Sequence, residues 1–314
     1  EIPADQASVS AGRDVFNMTQ EQLRTLIESS AANPSTATAR QVGGLYKSFM
    51  DESVVEALDA KPLTADLAKI QALSSKADFA LLMAKTHGAY GLSLLSVGTY
   101  ADAKKPVTAL YIGQGGLGMP DRDYYLSDTF KPKKEAYAAY ILRTLKLVDY
   151  PAPEAAADAI MKFETSIAEV SWPADERRDI DKIYNPMRLQ ALQASAPGID
   201  WRAYLGAAGA PSADAVVVTE PSAVQKILKI YTDTSLDTLK AWQTLHTVGT
   251  ASPFLSKRFV DSAFEFSDKA LNGTPELRPR WKRGVALVDG SLGEAVGQEY
   301  VAKYFPASSK AKMD

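Results

Sequence analysis

The chain has 314 residues, 46% of them hydrophobic and 23% charged, with a formal net charge of −3. This is the balance of an ordinary globular protein, long enough for one large domain or two modest ones. It excludes several classes. Near-neutral charge and short basic clusters (Lys131–Lys134, Arg177-Arg178, Arg278–Arg283) argue against a nucleic-acid binder, and those clusters read as solvated surface. The absence of cysteine excludes disulfides, thiol nucleophiles and cysteine-ligated metals within the chain. No stretch approaches the ~18 apolar residues that span a bilayer. The chain opens Glu1-Ile2-Pro3 without a methionine, so a processed or partial polypeptide is expected.

Amphipathic helices are predicted through most of the chain. Thr19 reads as the N-cap of a helix over 20–30, with Gln22 as its capping-box partner. Residues 36–50 place Val42, Leu45, Tyr46 and Phe49 on one face. Further helices are expected over 63–73 and 77–90. Leu92–Tyr100 and Val107–Gly113 are rich in branched and aromatic residues and too short for good helices, so they predict a β-hairpin. A glycine-rich loop, Gly113–Pro120, follows. Two stripes then suggest a helical hairpin broken at Tyr150–Pro153: Tyr137, Tyr140, Ile141, Leu145, Val148, and Ala156, Ile160, Phe163, Ile167, Val170. Residues 171–186 look polar and irregular. Short helices are expected near 187–194 and 200–207, and Ala215–Thr219 is a candidate third strand. Helices are again predicted over 221–231, 235–248 and 253–271, the last starting at Ser252-Pro253 and stopped by Asn272–Pro275. A long helix over 279–303 ends the pattern. Its Gly284, Gly290, Gly293 and Gly297 suggest close packing against another helix.

Tests for chemistry come out negative. A zinc hydrolase of the HExxH type needs two imidazoles one helical turn apart beside a carboxylate. The two histidines, His87 and His246, are far apart, and neither adjoins a glutamate; each reads as packed or hydrogen-bonded. No Gly-x-Ser-x-Gly elbow supports a serine triad. The run 113–118 lacks the Lys-Ser/Thr of a phosphate loop. Asp121-Arg122-Asp123-Tyr124-Tyr125-Leu126 differs in kind from the other charged runs. An arginine between carboxylates can clamp a loop through bidentate pairs, and the tyrosines can bury their rings while keeping their hydroxyls bonded. A structural lock is expected there.

That segment carries a resemblance. Gly116–Leu126, Gly-Leu-Gly-Met-Pro-Asp-Arg-Asp-Tyr-Tyr-Leu, is similar to a signature of neprilysin-like M13 zinc metallopeptidases. Four further segments resemble the family in order: Ile2–Asp5, Tyr184–Met187, Leu271–Gly273 with Arg278–Arg283, and Gly293–Val301. The resemblance covers essentially the whole chain. It implies a mainly α fold, the multi-helical capping lobe with a small β-hairpin of a two-lobed peptidase. The other lobe would hold HExxH and zinc.

The resemblance further implies a lobe that encloses oligopeptide substrates. Zinc would be bound by a C-terminal catalytic half that is absent here, and this chain alone would be inactive. The expected organisation is a segment 1–18 leading in from the catalytic lobe, a capping lobe 19–305, and the start of a linker at 306–314. In the family's mammalian relative, an arginine shortly after Ile-Pro helps bind the substrate's C-terminal side. An ungapped alignment puts Ser8 there, with Arg13 nearby as a substitute. Periplasmic or secreted placement is expected. The alternative is a non-catalytic helical module that binds peptides or proteins.

Overall fold

The computed structural model describes residues 2–86 and 90–305. His87 and the expected linker at 306–314 lie outside the described residues. In chain order the helices are α1 (Ala11–Ala32), α2 (Ala37–Met50), α3 (Glu52–Leu58), α4 (Thr64–Gln71), α5 (Lys76–Ala84), α6 (Asp123–Leu126), α7 (Lys131–Leu147), α8 (Pro153–Val170), α9 (Ile180–Ile183), α10 (Leu189–Ser195), α11 (Trp201–Ala207), α12 (Pro221–Asp233), α13 (Leu236–Ala251), α14 (Lys257–Phe264) and α15 (Arg280–Tyr304). The strands are β1 (Leu95–Ala101), β2 (Thr108–Gln114), β3 (Asn185–Arg188) and β4 (Ala215–Val218). The chain divides into two compact units, one built from residues up to Asp59, Phe254–Lys257 and Phe264 onward, the other from Ala60–Pro253 and Arg258–Ala263.

In the first unit, α1, α2 and α15 close a core around Ile27, Val42, Tyr46, Val285, Val288 and Val296. α1 begins well before the predicted cap. Ser10 is extended, and its hydroxyl accepts from the Arg13 amide, so the helix starts at Ala11. Thr19 sits inside it and turns its hydroxyl back to the Val15 carbonyl. The glycine pattern of α15 is only partly a packing device. A Cβ on Gly284 would lie 2.9 Å from the Tyr46 ring, so bulk is excluded there, but Gly290 and Gly297 face open space. Instead, Gly290 and Gly293 flank Leu292, whose φ of −129° breaks the helix into two. Residues 253–271 also depart from one regular helix. α14 ends at Phe264 and continues as a π-helical turn over Glu265–Ala270.

The basic run at 278–283 is not simply solvated. The Arg280 guanidinium donates to the Phe49 carbonyl, 2.9 Å from Nε, and so satisfies an orphan acceptor at the end of α2. Lys282 Nζ lies 2.5 Å from Asp5 Oδ2 and ties the N-terminal segment to α15.

In the second unit the predicted hairpin forms in register, from Leu95 opposite Gln114 to Ala101 opposite Thr108. It is extended to a four-stranded sheet in the order β1-β2-β4-β3, with β2 and β4 parallel and β3 antiparallel to β4. β4 is the third strand expected at 215–219. β3 was not expected, because Asn185-Pro186 reads as a turn and the strand is only four residues long. α7 and α8 make the expected hairpin, and Pro153 opens α8 at its first turn. Ile141, Ile160, Ile167 and Trp242 are fully buried.

Candidate functional site

The cleft nearest the sequence-derived site residues lies in the first unit and measures about 180 Å³. Its walls come from the N-terminal segment, the start of α1 and the stretch that runs from the π-helical turn into α15. Three cations line it, Arg13, Arg278 and Lys282, against two acids, Asp5 and Asp268. Local bonding explains the shape. The Glu276 amide donates to the Ala4 carbonyl, holding the N-terminal segment against the loop. The Thr274 amide donates to the Asp268 carbonyl, closing the turn after the π-helical stretch. Lys282 is taken up by Asp5, whereas among the described residues the Arg278 guanidinium makes one long bond, 3.4 Å, to the Gln20 amide oxygen. Arg13 stands on the first turn of α1, its guanidinium carbon 5.5 Å from the Phe16 ring.

The cleft thus presents two guanidinium groups, each able to hold a carboxylate through paired N–H donors. Of the two residues singled out in the sequence, Arg13 lines the cleft. Ser8 is exposed and lies outside the lining. Arg278 and Lys282 were read only as part of a basic run. Arg278 just before α15 and Lys282 in its first turn carry no sign in the sequence that the N-terminal segment folds back onto them.

The signature segment in the second unit forms a lock, built differently from the one expected. Arg122 does not pair with its flanking acids. Its Nη1 donates to the Ser171 carbonyl at the end of α8, 2.9 Å away. Of the two tyrosines, Tyr125 behaves as expected, while Tyr124 stays half-buried. Tyr125 is buried, with its hydroxyl 2.7 Å from Glu164 Oε2, and it also accepts from the Gly118 and Met119 amides. Tyr124 stacks on Phe130 at 4.2 Å.

Glu164 is the centre of this lock and is fully buried. Its Oε2 accepts from Tyr125 and Tyr137 (2.8 Å), and its Oε1 from Trp242 Nε1 (2.9 Å), with His246 Nε2 at 2.7 Å. The Gly118 amide adds a longer contact to Oε2 at 3.3 Å, so the four or so lone-pair sites of the carboxylate are all used. Burial, reinforced by the nearby Glu164 charge, pushes the Tyr125 and Tyr137 hydroxyls well above their usual range. His246 is therefore a hydrogen-bonded histidine, as its helical setting suggested. Sequence reading passed over Glu164. The available signal was an acid set within the apolar stripe Ile160, Phe163, Ile167.

The loop must come close to this centre. A Cβ on Gly118 would fall 1.8 Å from the Tyr137 hydroxyl. Gly118→Ala is expected to cost about 1–3 kcal/mol through overpacking, measured as a lower urea midpoint with an unchanged slope.

Among the described residues, no three histidine, aspartate or glutamate side chains converge as metal ligands. Among the described residues, the one histidine–carboxylate pair, His246 Nε2 and Glu164, is taken up in this network, where Tyr125, Tyr137 and Trp242 also donate to the carboxylate. Among the described residues, no helix is long and apolar enough to cross a membrane.

Known proteins agree with this architecture. Endothelin-converting enzyme 1 from Cavia porcellus is 28% identical over 324 residues, covering 98% of this chain and 43% of that protein. The human enzyme of the same name is 28% identical over 313 residues, covering 95% and 40%. The zinc metalloprotease Zmp1 of Mycobacterium tuberculosis, solved with an inhibitor, matches with a TM-score of 0.93 and 31% identity, over 100% of this chain and 49% of that one. PepO from Lactobacillus rhamnosis shares the fold at a TM-score of 0.82 and 20% identity. The chain thus spans roughly two-fifths to one half of the length of these relatives. With residues 1–314 all matched to Peptidase family M13, the chain belongs to that family.

Proposed function

We propose that this chain is the substrate-enclosing part of a zinc-dependent metalloendopeptidase acting on oligopeptides, with the zinc ligands supplied by further polypeptide of the same protein. The observation that carries this reading is the match of the whole chain to a peptidase family whose compared members are about twice as long. In such an enzyme zinc polarises the scissile carbonyl when bound. The residues of this chain do other work: they fence the substrate, exclude water and orient the peptide.

Within that reading, Arg13, with Ser8 beside it on the N-terminal segment, contacts the substrate, and the polar cleft gives Arg13 its setting. A guanidinium–carboxylate contact is worth about 1.5–3 kcal/mol. In a longer polypeptide that joins this chain to an HExxH half, oligopeptide cleavage is expected and a chelator is expected to abolish it. Arg13→Ala should raise KM about tenfold with kcat within about twofold, the pattern of lost uniform binding. An unchanged KM would remove Arg13 from the substrate site. An export route, to the periplasm or outside the cell, accompanies this proposal.

A further inference from the structure

Sheets manage their edges, because a row of unpaired N–H and C=O groups pairs with any extended chain that meets it. The two edges of the sheet in the second unit are treated in opposite ways. β3, at one end, is four residues long and carries Pro186 and Arg188. β1, at the other, is seven residues long, Leu-Ser-Val-Gly-Thr-Tyr-Ala. It has no charge and no proline, and no bulge interrupts its register with β2.

The register also fixes which groups face outward. The Ile112 carbonyl accepts from the Thr219 amide, and the Gln114 amide donates to Glu220. Both residues therefore turn their polar groups away from β1. In an antiparallel pair, the residue opposite such a position turns its own groups the other way. Val97 lies opposite Ile112, and Thr99 opposite Leu110 two residues along. The N–H and C=O of Val97 and Thr99 thus point off the open edge, and among the described residues neither makes a backbone hydrogen bond outside the ladder. Beside the edge stands an aromatic shelf. Tyr100 is 64% exposed and meets Tyr111 edge-on at 5.7 Å. At the hairpin tip Lys104 is paired with Asp181, whereas the exposed Lys105 has no acid within salt-bridge distance among the described residues, the nearby Asp102 carboxylate feeling its charge from farther off.

We infer that β1 takes an extended peptide as an added antiparallel strand. Val97 and Thr99 each exchange two backbone hydrogen bonds with it. Its alternate side chains lie against Tyr100, and an acidic residue at its N-terminal end meets Lys105. Strand addition draws affinity from the main chain and selectivity from alternate side chains. This suits a lobe that must hold many peptide sequences. The inference rests on the peptidase reading only for regarding that peptide as a substrate.

The test is hydrogen exchange of segment 95–101 in the full 314-residue chain, with the probe acetyl-Asp-Thr-Val-Thr-Tyr-Thr-Val-amide. At ~1 mM probe the Val97 and Thr99 amides are expected to exchange about tenfold more slowly. The same peptide methylated on alternate backbone nitrogens should give no protection, since it cannot complete the ladder. Thr99→Pro should abolish protection while leaving the melting temperature near that of the parent, an outward-facing edge position being where proline is tolerated. Lys105→Ala should weaken binding about threefold for this probe and leave a probe without the aspartate unaffected. Absence of protection at ~1 mM, or equal protection by the methylated peptide, would overturn strand addition. An Asp-bearing probe indifferent to Lys105→Ala would overturn the acidic preference. None of these readouts involves hydrolysis, so failure here is separable from failure of the peptidase reading.

Discussion

Glu164→Ala is expected to destabilise the second unit by about 3–5 kcal/mol, a large share of the ~5–15 kcal/mol that holds a domain folded. The substitution removes one carboxylate and strands four donors, Tyr125, Tyr137, Trp242 and His246, three of them fully enclosed. A buried donor without an acceptor carries its whole desolvation cost, about 1–3 kcal/mol each before relaxation. The loss falls on the signature loop as well, because the Tyr125 hydroxyl also holds the Gly118 and Met119 amides. Urea unfolding should show the drop. Glu164→Gln should recover only part of it, because its amide brings a donor where only acceptors serve. A loss under about 1 kcal/mol for Glu164→Ala would mean that the network is incidental to stability.

Alkali should unfold this unit cooperatively. Burial raises the hydroxyls of Tyr125 and Tyr137 well above their normal range, and pushes Tyr204 up to about 12. The sign follows from linkage. A group whose folded value is raised favours the protonated, folded form. Its contribution is complete below the unfolded value near 10, and is lost as pH rises from there through the folded value. For Tyr204 alone, the rise to about 12 corresponds to roughly 3 kcal/mol of stability, lost as pH climbs from about 10 through 12. With several such tyrosines the melting temperature should be flat from pH 7 to about 9.5 and fall steeply above it. Tyrosinate absorbance should appear together with loss of helical circular dichroism. Gradual tyrosinate formation in a still-folded chain would show that these hydroxyls reach solvent.

Much of this fold is legible in the sequence because helices announce themselves locally. α2 covers the stretch predicted over 36–50, and the two apolar stripes of α7 and α8 fall where their spacing puts them. The hairpin was legible for the same reason, since both strands are rich in branched and aromatic residues. The misses share a physical cause: they depend on partners distant in the chain. β3 exists because β4 offers an edge thirty residues away, not because Asn-Pro-Met-Arg favours extension. Arg122 chooses a helix-end carbonyl at Ser171 over the neighbouring acids. Glu164 is paired by residues on three other elements, none adjacent in sequence. The polar cleft is legible only at Arg13, because Arg278 and Lys282 join it through the fold of the N-terminal segment.

The reading of this chain as an enclosing lobe depends on catalytic zinc lying in other polypeptide. The most direct measurement takes the purified 314-residue chain with added zinc, determines bound metal after dialysis, and assays cleavage of a fluorogenic oligopeptide. The account predicts no retained stoichiometric zinc and no hydrolysis above buffer. Stoichiometric zinc with hydrolysis that a chelator stops would contradict it.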